Sequence, residues 1–226
     1  MSVLVQALEA GLRGLPVTLI LWVGGVVLGL MFGLLVACAR HFGPRPVNWL
    51  LAIPVEVVRG TPFLVQCFLL YFGGPFIGLD LSAPVAGLLA LSVYGAAYFS
   101  EIFRAGFAAI PKGHTEAARL LGISTWQNII RIQLPEMALA VIPALVNLAV
   151  ILSKETAVLS IITVPELTFT VMGVGSATFA YAQALAVLAA GYWIIVEVTA
   201  FGARRLEARI ARALGAPVRT IKPEVA

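Results

Sequence analysis

The sequence predicts an all-α integral membrane protein with about five transmembrane helices. Hydrophobic residues make up 61% of its 226 residues and charged residues only 12%, and the mean hydropathy is +1.00. A chain this apolar does not suit a soluble domain, and it is long enough for several spans of about 20 residues. The five apolar segments are about 15–39, 50–72, 84–108, 138–163 and 178–203. We therefore expect one transmembrane domain over residues 1–226.

Segment one carries three glycines at four-residue spacing, Gly25, Gly29 and Gly33. This spacing places them on one helix face, where another helix backbone can approach closely. The segment is longer than the core of a signal peptide and lacks a cleavage pattern, so we expect a helix that is retained.

Segment two contains a predicted break. Gly60 and Pro62 interrupt its helical pattern, and Glu56 and Arg59 are three residues apart, so they can pair on one face. A broken helix in a membrane is tolerated where protein or a wet cavity satisfies its backbone. The break is either part of a substrate pathway wall or a structural kink with an interfacial ion pair.

Segment three places Tyr94, Tyr98 and Glu101 on one helix face. A carboxylate at membrane depth costs about 2.5 to 3.5 kcal/mol on insertion scales, so Glu101 needs a partner. Arg104, three residues later, is the local candidate. A structural salt bridge and a contact with substrate are both compatible with this pattern.

The polar interval 110–135 predicts two short helices joined by a glycine turn. Thr115 is the expected N-cap of the first helix, and Gly122 is its expected stop. Ser124 followed by Gln127 fits a capping box that opens the second helix.

Segment four carries intramembrane charge. Asn147 and Lys154 are seven residues apart and share a face, and Lys154 and Glu155 lie in an otherwise apolar run. Two adjacent opposite charges at that depth need water, each other or a partner helix. We expect Glu155 and Asn147 to line a translocation cavity, with interhelical locking as the alternative.

The basic residues predict the orientation of the chain. Two follow segment one, four lie at the end of segment three and in the loop after it, and six follow segment five, so twelve of the fifteen are on one side. The positive-inside rule then places the N-terminus outside and both the 110–135 loop and the C-terminus in the cytoplasm. The tail after residue 203 is expected to lie at lipid headgroups as a basic amphipathic helix.

The polar loop resembles the EAA loop of permease subunits of bacterial ABC importers. The matching positions are Glu116, Ala117, Ala118, Gly122, Ile132, Leu134 and Pro135. The resemblance implies a cytoplasmic coupling helix that docks on an ATPase. The residues expected to serve this docking are Glu116, Ala117, Ala118, Arg119, Leu121 and Gly122. The alternative is an amphipathic helix that lies on the bilayer surface.

Three further stretches resemble the polar amino acid subgroup of these permeases. They are RGTPFLVQ from Arg59 to Gln66, AAYFSEIFRAG from Ala96 to Gly106, and the positions Asn147, Lys154, Thr156 and Glu166-Leu167. The family pattern Lys-Asp-Thr-Ser-Leu is altered here, because Glu155 replaces Asp and Ala157 replaces Ser. The candidate pathway residues are Thr61, Gln66, Tyr98, Glu101, Asn147, Lys154, Glu155 and Thr156.

The resemblance implies a MetI-like ABC importer permease fold in a bacterial inner membrane. It also implies four kinds of partner: cytosolic ABC ATPases, a second identical or homologous permease subunit, an extracytoplasmic solute-binding protein and membrane lipid. The chain contains no phosphate-binding loop, so we expect ATP and Mg²⁺ to be bound by the partner ATPase, with no cofactor, metal or catalytic residue in this chain.

The composition does not indicate a nucleic-acid partner, because basic residues in a membrane protein more often report orientation. The alternatives to an amino acid cargo are an opine, a compatible solute or a peptide. A channel or structural membrane protein without an ATPase, and more remotely an enzyme, are the alternatives from other classes.

Overall fold

The computed structural model describes residues 2–213, whose regular secondary structure is entirely helical. The α-helices are α1 (Val3–Phe42), α2 (Arg45–Gly60), α3 (Phe63–Tyr71), α4 (Ala83–Ala109), α5 (Lys112–Leu120), α6 (Thr125–Asn128), α7 (Leu134–Glu155), α8 (Leu167–Thr178) and α9 (Tyr181–Ala213). Two 3-10 turns, Gly74–Ile77 and Thr156–Ile162, and one π-helical turn, Ile129–Gln133, complete the chain.

Four helical stretches in the described part are long and apolar enough to cross a membrane. They are Val3–Phe42, Ala83–Ala109, Thr125–Ile162 and Tyr181–Gly202. The pair α2 and α3 counts as a fifth span if it is taken as one broken helix, because the two are bent by 105°. Thr61 is extended at the bend, as expected for a residue before a proline, and Pro62 has no amide hydrogen to continue the α2 ladder.

The first and last spans are longer than the apolar segments in the sequence. Helix α1 begins at Val3 because apolar residues continue along one face on either side of Glu9 and Arg13. Its 40 residues correspond to about 60 Å, twice the hydrocarbon thickness of about 30 Å. Helix α9 continues to Ala213. The basic residues Arg219 and Lys222, which contribute to the predicted orientation, lie outside residues 2–213.

Helices α1 and α4 form the most extensive helix–helix contact in the described chain. The predicted close approach at the glycine face of α1 is confirmed, since a Cβ atom at Gly29 would lie 3.2 Å from the Cα atom of Gly95. A Cβ atom at Gly25 or at Gly33 would lie 2.8 Å from a side-chain carbon of α4. Small residues therefore allow the two backbones to touch, as in other membrane helix pairs.

The chain changes its helical form between α7 and α8. Helix α7 ends at Glu155, the 3-10 turn covers Thr156–Ile162, and Thr163 takes a left-handed conformation with φ of 64°. This conformation is rare for a β-branched residue, so surrounding contacts must hold it in place. Glu166 then caps α8. The segment places the Lys154-Glu155 pair at the end of a helix.

Candidate functional site

Helix α5 presents an apolar surface to solvent. Ala118 is 2% exposed and faces the rest of the chain, whereas Leu120 and Leu121 are 89% and 78% exposed. Glu116, Ala117 and Arg119 are also exposed. Two large apolar side chains in open solvent, with charged neighbours, are typical of a surface that another protein covers.

The helix stops at Gly122 in the predicted way, but it does not begin as predicted. The amide of Ile123 donates to the carbonyl of Ala118 and the amide of Gly122 to that of Arg119. With φ of 71° at Gly122, these bonds form a Schellman motif. The prediction of Thr115 as N-cap is wrong. Pro111 is the N-cap, because its fixed φ suits a helix start and the Lys112–His114 turn continues into the helix.

The second half of the loop is fixed by local hydrogen bonds. The predicted capping box is confirmed, since the Ser124 amide donates to the Gln127 side chain and the Gln127 amide donates to the Ser124 hydroxyl. His114 Nδ1 lies 2.9 Å from a carboxylate oxygen of Glu136, in the first turn of α7. The loop is therefore attached to the start of the following span. Trp126 is 70% exposed and adds to the apolar surface.

Thr61 and Gln66 satisfy the backbone at the break between α2 and α3. The Gln66 side-chain amide donates to the carbonyls of Val58 at 2.7 Å and Thr61 at 3.1 Å, and to the Thr61 hydroxyl at 3.0 Å. The Thr61 hydroxyl donates in turn to the Val57 carbonyl at 3.0 Å. These bonds compensate carbonyls that lose their helical partners where α2 ends.

Tyr98 joins α4 to the same break. Its hydroxyl donates to the Arg59 carbonyl at 3.3 Å, and the Arg59 guanidinium lies 5.5 Å from its ring centroid. The predicted pairing of Arg59 with Glu56 is confirmed, with 3.1 Å between their charged atoms. Arg59 also has a buried Nε atom with no hydrogen-bond partner among the described residues. The break is thus a polar site that α4 holds in place.

Glu101 is held by two arginines. The predicted Arg104 contact is confirmed at 2.7 Å. The second, Arg40 at the end of α1, binds the other carboxylate oxygen of Glu101, and both side chains are largely buried. The Arg40 side chain also donates to the Asn48 side chain of α2 at 3.2 Å. Glu101 therefore links α1, α2 and α4, and sequence spacing gave no sign of Arg40, which is 61 residues away.

Asn147, Lys154 and Glu155 are the candidate pathway residues with free polar groups. Asn147 and Lys154 are exposed, and Glu155 is partly buried. Within residues 2–213, none of these three side chains makes a hydrogen bond or an ion pair, including between adjacent Lys154 and Glu155. These groups are available to a polar ligand.

Thr156 and Glu166 take structural positions behind this face. Thr156 is fully buried, and its hydroxyl donates to the Ser153 carbonyl at 2.7 Å. Glu166, also fully buried, accepts from the amides of Thr168 and Phe169 and from the Tyr192 hydroxyl at 3.0 Å. Sequence reasoning did not foresee this cluster, because Tyr192 comes from another helix.

The eight predicted pathway residues thus divide into three groups. Thr61, Gln66 and Tyr98 surround the helix break, Glu101 belongs to the arginine cluster, and Asn147, Lys154 and Glu155 carry the free polar groups, with Thr156 buried beside them. No cluster of three or more metal-ligating side chains occurs in residues 2–213.

Comparisons with known proteins agree with this architecture. Residues 25–212 match the model of the family described as binding-protein-dependent transport system inner membrane component. The chain is 34% identical over 200 residues to a probable amino-acid ABC transporter permease of Bacillus subtilis, covering 88% of each chain. It is 32% identical to the arginine transport system permease of Bacillus subtilis, covering 88% of this chain and 91% of that one.

Three further similarities agree with these matches. The chain is 34% identical to the glutamine transport system permease of Escherichia coli strain K12, covering 92% of this chain and 96% of that one. The solved structure of an amino acid ABC transporter matches with a TM-score of 0.82 at 32% identity, covering 89% of this chain and 94% of that one. A methionine ABC transporter matches with a TM-score of 0.65 at 20% identity, which concerns the fold alone.

Proposed function

The chain belongs to the family of binding-protein-dependent transport system inner membrane components, and from this premise we propose that its cargo is a polar amino acid. It is a permease subunit of an ABC importer with the MetI-like fold. The relatives named above include transport systems for arginine and glutamine. The single observation that supports this cargo is the free set of Asn147, Lys154 and Glu155, which offers an acid, a base and an amide without partners in the described chain.

The three side chains match the charges of an amino acid. Glu155 accepts hydrogen bonds from the substrate ammonium, Lys154 donates to the carboxylate, and Asn147 can do either. Charged groups in a membrane span are expensive unless they face a cavity or have partners. Lys154 and Glu155 do not pair with each other, so a water-filled passage is the environment that would solvate their charges.

One chain forms half of this passage. Asn147 and Lys154 are exposed on the outer face of α7, so a second permease subunit, identical or homologous, closes the cavity on that side. The helix break at Thr61 and Gln66 and the Tyr98 side chain contribute further wall. Glu101 and Thr156 act from behind this wall, through the arginine cluster and the end of α7 respectively.

The surface formed by Leu120, Leu121 and Trp126 is the proposed docking site of a cytosolic ATPase. These side chains are exposed by at least 70%, and the Schellman turn at Gly122 fixes where helix α5 ends. Glu116 and Arg119 lie on the same short helix and can set the register of docking through charge. The ATPase binds ATP and Mg²⁺, and its closure moves α5, which the His114–Glu136 contact connects to α7.

The proposed orientation places this docking surface in the cytoplasm and the N-terminus outside a bacterial inner membrane. Arg40 at the end of α1 meets Glu101 and Arg104 near the end of α4, shortly before the α5 loop begins. A basic cytoplasmic face is what the positive-inside rule expects, which supports this orientation. An extracytoplasmic solute-binding protein delivers the cargo to the opposite side.

Uptake into proteoliposomes tests the proposed cargo. The chain is reconstituted with its cognate ATPase and binding protein, and uptake of glutamine, arginine and cystine is compared with that of an opine, a compatible solute and a dipeptide. ATP-dependent uptake of at least one polar amino acid, absent when ATP is replaced by ADP, is the expected result. Uptake confined to the other solutes would assign a different cargo, and equal uptake without ATP would contradict the importer mechanism.

A further inference from the structure

A deep apolar groove lies between α1, α8 and α9. It has a volume of about 530 Å³, and along α1 it extends from Leu8 to Trp22, a distance of about 21 Å. Gly11 and Gly191 line it, so the absence of side chains at these two positions gives it depth. The groove is therefore long and narrow.

The inside of the groove offers no free polar atom. Of its lining residues, only Trp22 and Thr199 carry polar side-chain atoms. The Trp22 indole donates to the Ala149 carbonyl at 2.8 Å, and the Thr199 hydroxyl donates to the Ile195 carbonyl at 2.6 Å. An occupant thus finds only apolar contacts, which suits a hydrocarbon chain and does not suit a polar solute.

The groove lies on the opposite side of α7 from the proposed pathway. Trp22 contacts Ala149, which is two residues and therefore about 200° from Asn147 on the helix. The second permease subunit faces Asn147 and Lys154 in the proposed function, on which this step rests. The groove therefore faces lipid.

A positive charge stands at the end of the groove near the C-terminus of α9. Val198 lines this end, and Arg205 is seven residues later, so it lies on the same helix face about 10 Å farther on. The Arg205 guanidinium lies 4.2 Å from the Phe201 ring centroid, so its side chain points back along α9 in the direction of Val198. In the proposed orientation this is the depth of the headgroups of the cytoplasmic leaflet.

We propose that this groove binds one acyl chain of an anionic phospholipid, whose phosphate is held by Arg205. Helix and lipid attract each other in a membrane by van der Waals packing, and a groove of this depth gives a chain contacts on three sides. Arginine suits a phosphate because its guanidinium donates several hydrogen bonds in a fixed plane. The bound lipid fills the space between α1 and α9 and braces the two outer spans.

Native mass spectrometry of the full chain in detergent tests this site. The probes are phosphatidylglycerol and phosphatidylcholine with identical acyl chains. Phosphatidylglycerol is expected to bind about fivefold more tightly, since one basic residue near an anionic headgroup has about that effect. Arg205→Gln removes this preference, whereas Arg204→Gln, on a neighbouring face, retains it.

Two tryptophan substitutions, one inside the groove and one beside it, test whether the lipid binds in the groove. Ala190 lines the groove and Ala189 does not, although both are exposed on α9. Ala190→Trp is expected to abolish binding of phosphatidylglycerol, and Ala189→Trp is expected to leave it unchanged. Equal binding by these two variants, equal affinity of the native chain for the two lipids, or equal effects of the two arginine changes would each overturn the proposal.

A second copy of the chain is the other possible occupant of the groove. If Ala190→Trp converts a dimer to a monomer and leaves lipid binding intact, a second copy of the chain occupies the groove and the lipid proposal is wrong. Lipid binding is measured without ATPase or amino acid, so its failure is distinct from a failure of the proposed transport function.

Discussion

Arg40 at the end of α1 binds the carboxylate of Glu101 in α4, and both side chains are buried, at 8% and 15% exposure. Arg104 binds the second oxygen of the same carboxylate. Removing one partner of a buried ion pair leaves a charge without compensation. The cluster connects helices that are distant in sequence, close to the side where the ATPase is proposed to dock.

Arg40→Met is expected to destabilise the fold by about 3 kcal/mol, because Glu101 loses its more buried partner. Arg45→Met, at an exposed position without an ion pair in the described chain, is the control. The double change Arg40→Met with Glu101→Leu should recover part of the loss, since no buried carboxylate remains. Thermal unfolding in detergent measures the stability of each variant. Equal effects of Arg40→Met and Arg45→Met would mean that the Arg40–Glu101 ion pair does not stabilise the fold.

Glu155→Gln is expected to slow ATP-driven amino acid uptake by about tenfold or more, because a charge-assisted hydrogen bond contributes about 1.5 to 3 kcal/mol. Assembly with the ATPase should be unchanged, since the side chain makes no hydrogen bond or ion pair with other described groups. Glu197→Gln, an exposed carboxylate on α9, is the control. Loss of assembly in Glu155→Gln would instead indicate interhelical locking.

Gln66→Leu should destabilise the helix break by about 1 to 3 kcal/mol. The Thr61 carbonyl loses its side-chain donor, and the Val58 carbonyl keeps only the longer bond of 3.3 Å from the Thr61 hydroxyl. The comparison variant is Gln183→Leu, since Gln183 is exposed on α9 and makes no side-chain hydrogen bond in the described part of the chain. The measurement is the thermal unfolding midpoint of each of the two variants, compared with that of the native chain. A neutral effect of Gln66→Leu would mean that water satisfies the break.

Glu166→Ala is expected to cost about 2 kcal/mol of stability, because the first turn of α8 loses its cap. Tyr192→Phe removes the hydrogen bond to the same carboxylate and the one to the Thr168 hydroxyl, but it leaves both cap bonds in place and should cost about 1 kcal/mol. The ranking of the two variants in a thermal unfolding experiment is the measurement. If Tyr192→Phe proves the more harmful, the cap is not the main role of Glu166.

Contacts within a few residues could be predicted from the sequence, and contacts between helices could not. The Ser124 and Gln127 capping box, the Gly122 stop and the Glu101–Arg104 pair each depend on residues three or four positions apart, and each was foreseen. Arg40 binds Glu101 from another helix, so no local spacing revealed it.

Two helix starts differ from the sequence-based predictions. Thr115 is a good N-cap by residue type, but Pro111 starts α5 one turn earlier. The early start of α1 at Val3 was missed, because Glu9 and Arg13 interrupt the apolar run without interrupting the helix. The length of an apolar run indicates which part of a helix lies in lipid. The helix itself extends as far as its backbone hydrogen bonds continue, which can be several residues beyond that run.

Retention of the ATPase by the purified chain shows whether helix α5 is the docking element. The native chain is compared with Leu121→Glu, which places a charge on the exposed apolar surface, and with Gly122→Arg, which adds bulk where a side chain would meet open space. Gly122→Asn is the control, since asparagine tolerates the left-handed conformation better than most residues.

We expect the native chain and Gly122→Asn to retain the ATPase, and Leu121→Glu and Gly122→Arg to lose it, with the membrane spans of all four proteins equally folded. If all four retain the ATPase alike, or if the native chain fails to bind it, helix α5 is not the docking element and the coupling mechanism is wrong.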